Sequence, residues 1–450
     1  VALGLSCPAA AGEQPVDKPS TALSSFARKL LGASEQQLAR FAKGRRQGLI
    51  EIAPVHLPVN PPGDCNHYGW PVATMVGDTI IVMHRRIPGH RRDGAGAAND
   101  RMSYGIVLRS EDGGRTWSEP YDLRMCMKPQ DRYRGGIVPL SHRYKFAPDN
   151  SSRQGYPIHL YAIATTRDGA VVAINNHGVF RSEDQGRTWR HFSKALREDT
   201  FGREIFSIGP RLIDHAEHGL LAFGNWFGPP GKPSPDRTKL VVLKSTDGGA
   251  TWIDDVYDAG FSQYAPAALL HERRFLFITR NQDLGNTHTQ MTWTPGPPSG
   301  GVSRTDDPTQ QSSRRSAQSG GRRPDQKPEV ILSNLKPGLG TVDLSFNPVT
   351  QRLEVCRSNR NAMDIILWSM DAGDWNKGQW RRECQLFARG GRFYRDADGF
   401  HPAAAVIDRK RSVQHIFIYS GHPNGPAGVF RITRTLDTPR LVNFLKRIAG

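Results

Sequence analysis

The chain runs to 450 residues with 37% hydrophobic content, enough to bury a large core as one big all-β domain or as two or three smaller ones. Its 60 Lys and Arg against 43 Asp and Glu leave a net charge of +17, which draws anionic partners, acidic glycan and nucleic acid alike. Five sparse cysteines with no Cys-x-x-Cys pair exclude a disulfide framework and a zinc site of that kind, and no apolar run approaches the length of a membrane span, so no stable membrane insertion is expected.

Residues 1–12, from Val1 through Cys7 to Gly12, are an apolar run passing into small residues, as at the end of a signal peptide, and predict a secreted or periplasmic protein. Cys7 offers a second reading, a lipid anchor, in a poor acceptor context. Residues 13–48 read as a helical N-terminal segment. Phe26, Leu30, Leu38 and Phe41 fall at helical spacings with Arg and Lys outside, as in one or two short amphipathic helices packed on the rim of the main domain. From 49 to 440, short β-branched and aromatic runs such as 79–83, 170–174, 239–243 and 274–278 alternate with Gly, Asp, Asn and Pro and predict an all-β domain. The stretch 293–327 interrupts it with Pro, Gly, Ser, Arg and Gln, cannot bury a core, and reads as a disordered insertion.

The all-β region is internally repeated. Ser110 to Trp117, Ser182 to Trp189 and Ser245 to Trp252 each spell Ser-x-Asp-x-Gly-x-Thr-Trp, with a degenerate copy from Ser369 to Trp375. In each, Asp112, Asp184 or Asp247 is expected to accept backbone N–H bonds within a tight turn, and Gly to take a positive φ. Trp117, Trp189 or Trp252 then covers the seam beneath the hairpin, and a Val- or Leu-rich strand precedes each turn. Units of four strands beginning near Tyr68, Tyr156, Phe206, Tyr264, Thr341 and Phe400 predict a β-propeller of about six blades. The segment 50–52 is placed to complete the last blade and close the ring, and 124–150 is long enough for a seventh blade.

Three copies of this turn, the Asp box of BNR repeats, resemble the sialidase superfamily over roughly Tyr68 to Thr433. The resemblance implies a sialidase-like β-propeller with the boxes on the outer turns of its blades. Function then belongs where innermost strands begin and second strands end, because a hairpin brings both points to one face of the ring. The strand starts offer His67, Tyr68, Tyr264, Phe400 and His401. The second-strand ends offer His84, Arg85, Arg86, Trp226, Arg280, Asn281, Asn359 and Arg360.

True sialidases carry the first of three carboxylate-gripping arginines in a Tyr/Phe-Arg-Ile-Pro segment. Here the matching stretch is Tyr68-Gly69-Trp70-Pro71, with Gly in place of the arginine. Arg86-Ile87-Pro88 follows the second strand and is out of position. Arg280 matches the second family arginine, while the family's glutamate falls near Gln263 and Tyr264 and its nucleophilic tyrosine near Phe400 and His401. Asp93 or Asp100 lies where the family keeps its acid.

A cationic rim with few acids does not suit hydrolysis by two facing carboxylates. It does suit β-elimination at a uronic acid, which needs a cation on the carboxylate, a base for the adjacent proton and an acid for the leaving oxygen. Residues 66–71, His84-Arg85-Arg86 and Tyr264 look similar to propeller-fold polysaccharide lyases acting on uronate polymers such as ulvan. On this reading His67 and Tyr264 are the proton-transfer pair, Arg280 and Arg85 hold the carboxylate with Asn281 and His401 beside them, and Trp226 stacks on a sugar ring. The expectation is a carbohydrate-active enzyme, lyase or glycosidase, whose partner is an acidic polysaccharide or oligosaccharide and not a nucleic acid. It requires no cofactor, and Cys65 beside His67 leaves room for a structural metal ion. The alternatives are an exo-sialidase with a remodelled arginine triad and a non-catalytic glycan-binding propeller.

Overall fold

The computed structural model describes residues 23–58, 66–87, 104–128, 161–175, 178–193, 205–226, 239–257, 263–281, 287–295, 328–335, 342–393, 395–400 and 404–449. Two helices come first, α1 (Ser25–Leu31) and α2 (Glu35–Arg46). Ser34 opens α2 with a capping box: its Oγ accepts from Gln37 N while the Gln37 side chain accepts from Ser34 N. Strand β1 (Ile50–His56) follows.

Five four-stranded antiparallel blades come next in chain order. Blade 1 is β2 (His67–Val76), β3 (Thr79–Ile87), β4 (Tyr104–Ser110) and β5 (Tyr121–Asp122). Blade 2 is β6 (Ala162–Thr165), β7 (Val171–Asn175), β8 (Gly178–Ser182) and β9 (Arg190–Ser193), and blade 3 is β10 (Ile205–His215), β11 (Gly219–Trp226), β12 (Lys239–Ser245) and β13 (Ile253–Tyr257). Blade 4 is β14 (Gln263–His271), β15 (Arg274–Asn281), β16 (Thr287–Trp293) and β17 (Glu329–Leu332). Blade 5 is β18 (Val342–Asn347), β19 (Arg352–Asn359), β20 (Asp364–Asp371) and β21 (Arg381–Ala388).

In the sixth blade a broken inner strand, β22 (Asp398–Gly399) and β23 (Ala404–Asp408), pairs with β24 (Val413–Gly421), then β25 (Ala427–Thr435). Its outermost strand is β1, running antiparallel to β25 from Ile50 opposite Arg434 to His56 opposite Val429. The ring of the β-propeller thus closes with a strand from the start of the all-β region, and the described residues hold six blades. Of 124–150, offered as a seventh blade, residues 124–126 lie in a 3-10 turn (Leu123–Cys126) and 129–150 lie outside the described residues, as do 296–327, whose flanks β16 and β17 are the third and fourth strands of blade 4. A last helix, α3 (Thr438–Ala449), packs with α1 and α2 on blades 5 and 6, where Leu30, Phe41, Phe387, Phe400, Leu441 and Phe444 share one core cluster.

Central strands such as β7 are buried along their whole length because each blade is stacked between two others, which is why they read as unbroken apolar runs. The three Ser-x-Asp-x-Gly-x-Thr-Trp turns join third to fourth strands, and their geometry is the same in each. Ser182 Oγ donates to Asp184 Oδ1 and accepts from Gly186 N, both at 2.8 Å, and Asp184 accepts from Thr188 N at 2.8 Å and Thr188 Oγ1 at 2.6 Å. Partial burial opposes ionisation of Asp112, Asp184 and Asp247, but the bonds from the following Thr and the preceding Ser outweigh it and hold all three carboxyls below their ordinary range.

Each turn leans on the previous blade, and there the glycine is required. Gly186 sits at φ 80°, and a Cβ on it would lie 3.1 Å from Ile81 of blade 1; Gly249, at φ 104°, would meet Val179 of blade 2 at the same distance. In blade 1 the turn docks on blade 6, where Arg431 donates to Gly113 O and pairs with Glu51 at 2.5 Å, so this turn helps lock the closing strand. Trp189 and Trp252 are buried with Nε1 donating to the turn's own carbonyls at 3.1 and 2.9 Å, while Trp117 meets Phe417 edge-on at 6.0 Å. The degenerate copy occupies the equivalent connection of blade 5 as a short 3-10 turn that still buries Trp375.

Cys126, Cys356 and Cys384 are free thiols. Among the described residues no cluster of three or more His, Cys, Asp or Glu is spaced to hold a metal ion, and no helix is long and apolar enough to cross a membrane.

Candidate active site

The rim is shaped by prolines in the innermost strands. The ladder of β2 slips between Gly69 and Val72, that of β10 between Ile208 and Leu212, and that of β14 between Tyr264 and Ala267; Pro71, Pro210 and Pro266 lie inside the three irregular stretches. Proline has no N–H to give a ladder, so it is accommodated at such a bulge, which turns the strand and re-aims its side chains. The blades meet closely here: a Cβ on Gly209 would lie 2.1 Å from Pro266 O of the next blade. Trp70 takes a left-handed φ of 49°, and Phe400, at the matching place in blade 6, a φ of 57°. Both are uncommon for large side chains and cluster at functional rims. The repeated Pro was a sequence signal that marks this rim in blades 1, 3 and 4.

Where β2 begins, His67 is fully buried. Its Nδ1 lies 3.2 Å from Gly425 O, a carbonyl that only accepts, so Nδ1 donates. Its Nε2 then faces Asp398 Oδ2 at 3.2 Å. Asp398 Oδ1 accepts from Arg360 Nη2 at 2.9 Å and from Gly399 N at 2.8 Å, and the same Arg360 Nη2 donates to Tyr419 Oη at 2.9 Å. Tyr419 stacks near Trp70, with ring centres 5.1 Å apart, and closes over His67 edge-on at 5.6 Å. Burial pushes the neighbouring Arg389 guanidinium down to about 10, against the opposing pull of Asp398; it stays charged at neutral pH and donates to Ser420 Oγ at 2.8 Å.

This carboxylate corrects the expectation of a rim short of acids beside His67. The sequence pattern places the start of blade 6 near Phe400, which leaves Asp398 out, whereas the inner strand begins two residues earlier and then breaks. Gly69 faces the ring of Tyr419. A Cβ there would touch Tyr419 and His67 at 3.5 and 3.6 Å, so the ring of Tyr419 lines the place where the resemblance expects an arginine side chain.

Arg85, at the end of β3, is 2% exposed, with its guanidinium carbon 5.0 Å from the Trp70 ring centre and 5.2 Å from that of Tyr161. Two aromatic faces so disposed stabilise a cation. The structure therefore brings His67 and Arg85 together around Trp70. On blade 4, Tyr264 is the backbone partner of Arg280, and Asn281, 3% exposed, donates from Nδ2 to Thr289 Oγ1 at 3.2 Å. Blades 1 and 4 stand on opposite sides of a six-blade ring. The side chains of Tyr264 and Trp226, and the whole of His401, Asp93 and Asp100, lie outside the described residues.

Beside the rim, His84 Nδ1 donates to Arg85 O at 2.9 Å, so its Nε2 is the acceptor for His56 Nδ1 at 2.8 Å. Both rings are thus held neutral. Burial drives His84 down to about 4, and burial together with His84 and Arg86 takes His56 well below its usual value. With folded values depressed, the unfolded chain takes up protons first as pH falls. The pair's contribution is complete above pH ~6.5 and fades towards about 4, by up to about 3 kcal/mol for His84. The thermal midpoint is expected to fall between pH 7.5 and pH 5, and His84→Asn should flatten that dependence.

No known family profile matches the chain. A probable oligoxyloglucan-reducing end-specific xyloglucanase of Neosartorya fischeri is 25% identical over 176 residues, 35% of this chain and 20% of that protein, so the chain spans about a fifth of that relative's length. A solved protein of unknown function from Dyadobacter fermentans superposes with a TM-score of 0.54 at 16% identity, over 85% of this chain and 99% of its own. A Hadza microbial sialidase gives 0.49 at 12% identity, over 86% and 68%. At such identities the likeness is one of fold.

Proposed function

We propose that this protein is an exported carbohydrate-active enzyme that cleaves uronic-acid-containing glycans by β-elimination. The observation that carries the reading is the chemistry of the rim. Arg86 and Arg280 stand half-buried at the ends of second strands, Arg86 beside the Tyr68 ring, and behind them Arg85, Arg357 and Arg360 are enclosed at 2%, 2% and 7% exposure, as are the carboxylates described among them, Asp398 and Asp364, at 0% and 8%. Cations beside aromatic faces fit an anionic sugar ring. The relative that is a xyloglucanase lends weight to glycan cleavage as the general activity.

In the proposed reaction Arg280, with the enclosed Asn281 fixed beside it, takes the uronate carboxylate, which acidifies the carbon-bound proton next to it. A base removes that proton, the C4–O bond breaks as the double bond forms, and the leaving oxygen collects a proton. We assign the exchange to Tyr264 with His67. His67 is enclosed in the present state, so its part is supported through the proton it can share with Asp398. Arg85, held between two rings, supplies positive potential rather than a swinging contact.

Incubation with a panel of uronate polymers should raise the ultraviolet absorbance of the new double bond, and Tyr264→Phe should slow that rise by about 10²- to 10⁴-fold. A silent panel overturns the proposal. Release of a fluorophore from a sialoside would favour the hydrolytic alternative instead.

A further inference from the structure

One strongly charged surface has no part in that reaction, the helical layer over blades 5 and 6. Helices α1, α2 and α3 carry nine Lys or Arg against a single acid, Glu35. Gly44 of α2 is pressed on α3, where a Cβ would lie 3.3 Å from Phe444 Cε1, so the two helices present their outer faces together. Lys43, Arg46, Arg440, Lys446 and Arg447 are exposed, and none of them is ion-paired among the described residues, whereas Arg45 is drawn to Glu51 at 3.4 Å.

We propose that this face is a second binding site, for an anionic polysaccharide chain. That the polymer is a polyuronate rests on the function proposed above; that it is a polyanion rests on the charge. Leu30, Phe41, Leu441 and Phe444 are all buried against the propeller, so the layer offers no apolar face to a bilayer. No aromatic of these helices is exposed, so none is placed to stack on bases. What remains is a set of exposed cations facing water, which binds by long-range attraction and ion release.

The layer is also continuous with the rim. Ser420 Oγ donates to Leu30 O at 2.9 Å where α1 ends, and Ser420 follows Tyr419 in β24. A long chain gripped by α2 and α3 is thereby led past the Asp398 and Tyr419 network, while an oligosaccharide filling only the rim does not feel the helices.

The test is Lys43→Glu, Arg46→Glu, Arg440→Glu and Arg447→Glu combined in the full chain. Affinity for long polygalacturonate should drop about tenfold or more at low salt and lose most of its salt dependence, with binding of a short oligogalacturonate unchanged. Several of these cations lie in last helical turns and complement the helix dipole, so if the reversed variant fails to fold, the four Gln substitutions take its place. Unaltered affinity for the long polymer, or an equal loss for the short one, overturns the proposal. Anionic phospholipid vesicles binding as tightly as the polymer would also overturn it, in favour of a membrane. A variant that loses polymer binding in a protein that cleaves no uronate would refute the lyase reading and leave this site standing.

Discussion

Replacing Glu354 by alanine should cost about 3–5 kcal/mol of stability, because it leaves a buried guanidinium without its counter-charge. Glu354 is 1% exposed and Arg434, its partner, 0%. Arg434 Nε donates to Gln414 Oε1 at 2.8 Å, Gln414 Nε2 to Ser345 Oγ at 3.0 Å, and Thr438 Oγ1 to Glu354 Oε1 at 2.6 Å. The carboxylate thus ties β19 of blade 5 to β25 of blade 6 and to the first residue of α3. The loss should register as a large fall in the thermal midpoint together with easier proteolysis of α3. Replacing both partners by methionine should recover most of it, since the desolvation cost of two charges disappears with their attraction. A small effect of the single substitution would mean that water reaches the pair.

Asp398→Asn should cut turnover on the polymer identified as substrate by about 100-fold or more. The amide keeps the shape of the carboxylate: its oxygen can still accept from Gly399 N and Arg360, and its N–H2 faces His67 Nε2, so what is lost is the ability of this position to exchange a proton with His67. A purely structural role would lower the thermal midpoint and leave the pH–rate profile in place. A role in the proton transfer changes the shape of that profile. Turnover within twofold of the parent would remove Asp398 from the mechanism.

The frame was legible because its determinants are local. A box needs Ser, Asp, Gly and Trp within eight residues, and each copy fixes a hairpin between third and fourth strands wherever it occurs. The closing strand was legible too, since 50–52, Ile-Glu-Ile, alternates β-branched and charged residues as a strand does and is left over before the first full blade. The site was legible only as a rim. The rule of strand starts and ends named His67, Arg85, Arg280 and Arg360. The contacts that give them meaning join residues hundreds of positions apart, as His67 does with Asp398 and Gly425. Spacing carries no signal for such pairs. The same holds for Arg211, which reaches from blade 3 to Asp343 of blade 5 at 2.8 Å; there burial outweighs the arginine and raises the carboxyl to about 6.

The closure of the ring also bears on how the molecule is made. Strand β1 leaves the ribosome before any blade, yet its partner β25 is the last strand of the sheet system to be synthesised. Until then it waits as an unpaired edge, open to pairing with another nascent chain, and among the described strand pairs its contact has the longest sequence separation and so the slowest search. Closure of the ring therefore waits on a single late docking event, and a holdase that shields residues 50–56 should raise the yield of folded protein more than one that shields any blade.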